Sequence, residues 1–200
     1  MTLLTQQKID RRLAALRPEE MKAKAAGLGC QWDGSGLQIR FFGHHYRVSP
    51  GGIHARHGPP PGLAVKNILA DYAATQAATA KPTDARISFR EFPGAGPLVV
   101  AFANNTHKII AHTFGADLAR LKAACGSLQG RFDAAASGFD LAVEFMALPK
   151  VPLYLQFNAS DEDFPAEATL VFDPSAAAFL SLHSLFSTAT YLTGSLITSG

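Results

Sequence analysis

Apolar and polar residues alternate in two separate blocks of the chain, and elsewhere the apolar spacing is that of helices. In the first block Cys30 and Trp32 lead to an Asp33-Gly-Ser-Gly36 turn, after which Leu37, Ile39 and Phe41 alternate with Gln38 and Arg40. A second turn around Gly43-His44 leads into His45-Tyr-Arg-Val-Ser49. The pattern predicts a three-strand meander closing at Pro50-Gly-Gly52. In the second block Phe139, Leu141, Val143 and Phe145 alternate with Asp140, Ala142 and Glu144. Val151, Leu153, Leu155 and Phe157 then alternate with Pro152, Tyr154, Gln156 and Asn158, and Ala168, Leu170 and Phe172 with Thr169, Val171 and Asp173. These are three strands, each with one buried face. Between the blocks, Arg86 to Phe92 also reads as a strand, with Ile87 and Phe89 on one side and Arg86, Ser88 and Arg90 on the other. A Gly94-Ala-Gly-Pro97 turn follows and leads into Leu98-Val-Val-Ala-Phe102.

Helical spacing fills the remainder. Residues 3–26 are expected to be helical in two segments, with Pro18 in the first turn of the second, Glu19 and Glu20 favouring its N-terminus and Gly27 its end. Gly62 to Thr79 places Val65, Ile68, Leu69, Tyr72 and Gln76 on one face. A short helix carries Ile110 and Phe114, with Asn104 and Asn105 as candidate N-caps. Another carries Leu118, Leu121 and Cys125. After Asp173-Pro-Ser175 an Ala-rich helix runs to Ile197 with Leu182, Leu185, Phe186 and Ala189 inward, and Asp173 or Ser175 suits its N-cap. The prediction is a single α+β domain over residues 1–200, with a mostly antiparallel sheet (N-terminal meander plus C-terminal strands) and flanking helices. Residues 1–27 form an N-terminal helical segment.

Composition narrows the function classes. The chain has 200 residues, 48% of them hydrophobic, enough to bury a core. Eighteen Lys plus Arg against sixteen Asp plus Glu leave a net charge of +2, with no block of one sign, so neither nucleic acid nor membrane is expected as a partner. The N-terminus lacks a basic region followed by a long apolar core, which points to a soluble cytoplasmic protein. Cys30 and Cys125 lie outside any C-x-x-C and read as buried thiols. No G-x-S-x-G or H-E-x-x-H occurs, and Gly94-Ala-Gly does not complete a dinucleotide fingerprint. His44, His45, His54 and His57 lie close in sequence. They have no ligand spacing, and His44 and His45, as strand neighbours, point to opposite faces, so no metal is assigned to them.

The loop from Ala159 to Glu167 is longer than an ordinary hairpin turn and carries Asp161, Glu162 and Asp163 side by side, for solvation or for a cation or donor partner. Glu91, if it faces inward, needs a partner. If a cleft separates meander from C-terminal strands, Arg90, Lys150, Tyr154, Asp161 and Asp163 belong at its mouth. The leading expectation is a non-catalytic accessory module holding a small anionic ligand or a redox partner there. The alternative is a metal-assisted hydrolase or transferase in which Asp161, Glu162 or Asp163 binds a hard cation and Arg90 or Lys150 holds an anion. A purely structural subunit is the third reading. The sequence assigns no cofactor.

Five segments, Gly43-His-His-Tyr46-Arg-Val, Ile87-Ser-Phe-Arg-Glu91, Ala147-Leu-Pro-Lys-Val-Pro-Leu153, Asp161-Glu-Asp-Phe-Pro165 and Leu170-Val-Phe-Asp-Pro-Ser-Ala176, resemble the bacterial and archaeal family catalogued as domain of unknown function 3786. The resemblance covers the chain from about residue 28 onward. It implies a protein of anaerobes, in a family whose members include some with an attached four-cysteine iron–sulfur segment and some near corrinoid or one-carbon genes. This chain lacks the four cysteines, so a cluster would have to come from a separate protein.

Overall fold

The computed structural model describes residues 2–76, 79–134 and 136–199. Two helices open the chain, α1 (Thr2–Ala14) and α2 (Pro18–Lys24), the second beginning at its proline as expected. An antiparallel meander follows: β1 (Gln31–Trp32), β2 (Leu37–Phe41), β3 (His44–Ser49) and β4 (Gly52–Ala55), hydrogen-bonded in the order β1-β2-β3-β4. The fourth strand was not expected. Pro50-Gly51 is the turn rather than the end, and Ile53 pairs with Val48 as the strand's single inward-facing large apolar residue. One such residue is too short a run to show a period.

The helix α3 (Leu63–Ala74) buries Val65, Ile68, Leu69 and Tyr72, but it stops before Thr75 and leaves Gln76 exposed. Thr75 is drawn away by tertiary bonds, its hydroxyl donating to the Ala178 carbonyl at 2.8 Å while its own carbonyl accepts from Lys24. The expected continuation over residues 77 and 78 lies outside the described residues.

The predicted strand from Arg86 to Phe92 is corrected to a two-residue strand, β5 (Ile87–Ser88), followed by one 3₁₀ turn over Phe89–Glu91. Ser88 and Glu91 form a capping box: the Ser88 amide and hydroxyl both donate to the Glu91 carboxylate. Glu91 is therefore exposed and satisfied locally. With about three residues per turn, Phe89 and Phe92 fall on one face. They join an aromatic cluster in which Phe89 stacks on Phe102 at 4.1 Å between centroids and both Phe89 and Phe92 meet Phe172.

Next come α4 (Val99–Asn105), α5 (His107–Phe114) and α6 (Leu118–Ser127). Neither Asn104 nor Asn105 caps α5. The Asn105 amide donates back to Ala101, and Thr106 is the residue between the helices. A second sheet contains β6 (Arg131–Phe132), β7 (Leu141–Leu148), β8 (Val151–Asn158) and β9 (Glu167–Phe172) in the order β5-β9-β8-β7-β6, all pairs antiparallel. The Ala-rich segment is broken at Leu180-Ser181 into α7 (Ala176–Phe179) and α8 (Leu182–Ser199). Asp71 accepts from both the amide and the hydroxyl of Ser181 there, at 2.8 and 2.6 Å.

The architecture is α+β with two antiparallel sheets and flanking helices. The inner face of the meander packs on α3, and α8 packs on α3, α4, α5, α6 and α7. Leu185, Ala189, Leu192 and Leu196 of α8 are fully buried and belong to the same apolar cluster as the inner faces of both sheets. The sheets meet where the β2–β3 turn touches β7, through the Phe42 amide donating to the Ala147 carbonyl at 3.0 Å. That turn holds Phe42 at φ 42° and Gly43 at φ 82°. A left-handed phenylalanine is strained, and burial of its ring against Phe41 and Tyr191 opposes the strain. Among the described residues no helix is long and apolar enough to cross a membrane.

Candidate functional site

The residues expected at one cleft mouth are dispersed. Lys150 sits in the turn before β8, whereas Asp161 and Asp163 lie beyond its far end, and an eight-residue strand holds them roughly 25 Å apart. Arg90 is exposed on the 3₁₀ turn. Tyr154 is half-buried on the outer face of the second sheet, where the Arg86 guanidinium lies 4.3 Å from its ring centroid. Burial raises the Tyr154 pKa, and nearby Glu144 acts in the same direction while Arg86 opposes it. Arg86 pairs with Asp133 and Arg131 with Glu144, so the charges of this region are matched. In the acidic loop Asp161 closes its own turn, accepting from the Asp163 and Phe164 amides at 2.9 and 2.7 Å. Among the described residues no group of three metal-ligating side chains is assembled.

The outer face of the meander is different. Strand pairing sets Arg40 opposite His45, and the Arg56 amide donates to the His45 carbonyl, so these three make one row across β2, β3 and the end of β4. The row beside it holds Gln38, Arg47 and His54, with Gln31 beyond Gln38. These residues line an open groove of about 670 Å³ that reaches the second sheet through Pro149. Tyr46, Val48 and Ile53, at the intervening positions, are buried on the other face. The two-residue period that builds the core thus also gathers three guanidinium groups and two imidazoles on the solvent side.

These guanidinium groups are not paired with carboxylates. Arg40, Arg47 and Arg56 take part in no ion pair among the described residues. Arg40 donates to the neutral side-chain amide of Gln129, which orients it without cancelling its charge. Asp33 is the carboxylate on the groove lining, and its oxygens are engaged by the Ser35 amide and hydroxyl, the Gly36 amide and the Gln38 side chain. Its pKa is lowered, chiefly by the Ser35 backbone bond. Gly36 is required at this turn, because a Cβ there would stand 2.6 Å from the Val48 carbonyl oxygen. The arginines, with His45 and His54, are what counting charge runs along the chain missed. The readable signal was basic and imidazole side chains at alternate positions of adjacent strands. His44 and His57 are exposed and outside this lining.

Two further groups are structural. Cys30 and Cys125 are free and buried, and burial pushes both thiols up to about 12, far from the thiolate that nucleophilic chemistry needs. His107 is half-buried. Its Nε2 accepts the Leu170 amide of β9 at 3.0 Å, where the short β5 leaves that strand's edge unpaired. Burial lowers its pKa, with Glu167 acting against the shift.

The fold and the groove define an α+β protein of two antiparallel sheets that displays a cationic surface whose arginines make no ion pair among the described residues. Residues 20–195 match the family described as "Domain of unknown function (DUF3786)", and the chain belongs to that family. No curated protein and no solved structure matches it.

Proposed function

We propose that the protein is a non-catalytic accessory module, working in the cytoplasm, that binds a small anionic ligand on the outer face of its N-terminal meander. The observation that carries this reading is the convergence of Arg40, Arg47, Arg56, His45 and His54 on one groove with no ion pair to any of the arginines. A groove of about 670 Å³ suits a small molecule, and its polar lining suits an anion rather than an apolar compound. Two unbridged cysteines accord with a reducing compartment.

The test is a titration of isotopically labelled protein with inorganic phosphate and sulfate, followed by backbone and arginine side-chain NMR. Resonances of Arg47, His54 and Arg56 should shift together and saturably, and an Arg47→Gln/Arg56→Gln variant should lose the response. Shifts confined to the acidic loop, or none at all, would refute the reading.

A further inference from the structure

Resting on the anion-binding reading, we propose that the groove takes a small molecule bearing two phosphate groups, one held by each of its two cationic rows. In every contributing strand the outward residues are two apart: Gln38 and Arg40, His45 and Arg47, His54 and Arg56. Such positions are about 7 Å apart along a strand, and neighbouring strands are about 4.8 Å apart. The result is a small grid with Arg40, His45 and Arg56 in one row and Arg47 and His54 in the other. A single tetrahedral anion spans only one row. Two phosphates joined by a linker of three to four carbons reach both, and guanidinium is the side chain whose fork matches phosphate oxygens.

The composition of each row supports this division. One row has two arginines flanking an imidazole, and the other has an arginine beside an imidazole with Gln31 and Gln38 continuing it as neutral amides. Amides hydrogen-bond the hydroxyls or linker atoms of a ligand and add no charge. Asp33 brings one negative charge to the lining, but its oxygens are held by its own turn and by Gln38 and it pairs with no arginine among the described residues, so three guanidinium groups face one carboxylate. A phosphodiester backbone shares the chemistry and has similar spacing. Proteins that bind single strands also offer large aromatic platforms for the bases, and no Phe, Tyr or Trp lines this groove.

Calorimetry on the full chain decides the matter, using inorganic phosphate, a series of alkane-α,ω-diol bisphosphates from two to eight carbons, and an oligothymidylate. The expected result is an affinity optimum at three to four carbons, at least about tenfold tighter than inorganic phosphate because the second phosphate binds intramolecularly. Arg47→Gln, an exposed change, should remove the length dependence and bring the bisphosphates to the level of phosphate. The control Arg90→Gln should change nothing. If phosphate binds at the groove and every bisphosphate binds equally well, the two-phosphate assignment fails while the anion-binding reading stands. If neither phosphate nor any bisphosphate binds, both fail. Tighter binding of the oligothymidylate than of the best bisphosphate overturns the small-molecule assignment.

Discussion

Asp173 offers the sharpest test of how the segment before β5 is tied to the second sheet. Its side chain is fully buried just after β9 and accepts three hydrogen bonds: one oxygen takes the Thr83 amide and hydroxyl, the other the Ser175 amide at 2.8 Å. In Asp173→Asn one oxygen becomes an NH₂ donor. Whichever way the amide turns, it faces either the Thr83 or the Ser175 backbone N–H, neither of which can become an acceptor. An unsatisfied buried donor costs about 1–3 kcal/mol, and the bonds that remain lose their charge assistance. The expected destabilisation is about 2–4 kcal/mol, a large share of a domain stability of roughly 5–15 kcal/mol. With a urea m-value of about 2 kcal/mol/M, the midpoint should fall by about 1–2 M. Thr83→Val removes the hydroxyl that donates to Asp173 and accepts from the exposed Ala85 amide, and should cost about 1 kcal/mol, and the double variant should lose less than the sum of the singles. A midpoint for Asp173→Asn within about 0.25 M of wild type would show that the three bonds are not maintained in solution and refute the reasoning.

Other positions give independent checks. Tyr72→Phe removes the buried hydroxyl that donates to the Leu28 carbonyl at 2.7 Å, and should cost about 1–2 kcal/mol in urea unfolding; an unchanged midpoint would mean that water replaces the donor. A Cβ at Gly130 would stand 2.5 Å from a Val143 methyl, 2.8 Å from the Phe145 ring and 2.9 Å from the Cys125 carbonyl oxygen, so Gly130→Ala should destabilise by about 1–3 kcal/mol, read as a lowered thermal midpoint. His107 predicts a pH dependence: with its folded pKa below the unfolded value, the unfolded chain binds more protons in the interval between them. Its stabilising contribution is therefore complete above about pH 6.5 and is lost as pH falls through the folded pKa. His107→Gln keeps an acceptor for Leu170 without titrating and should flatten the stability profile below pH 6.5; parallel profiles for the two proteins count against the assignment.

Much of the fold was legible along the chain because burial on one face imposes a local period. Leu37, Ile39 and Phe41, then Leu153, Leu155 and Phe157, are the buried faces the alternation predicted. The α3 face through Val65, Ile68, Leu69 and Tyr72 is likewise the one that packs. Only the tertiary structure decided where periods mislead. Phe89 and Phe92 lie on a 3₁₀ turn because the Ser88–Glu91 cap and the aromatic cluster around Phe102 and Phe172 outweigh an alternation of a few residues. Thr75 leaves α3 for partners distant in sequence. The same limit governs the site. Lys150 and Asp161 were expected at one cleft mouth, but the eight-residue strand between them holds them apart. Arg40, Arg47 and Arg56 looked like scattered surface charges, because a net charge of +2 without runs says nothing about cross-strand register. Register is set by the turns at Gly36, Phe42-Gly43 and Pro50-Gly51 acting together. Periodicity is a property of each segment alone, while the grid of cations exists only once those segments have paired.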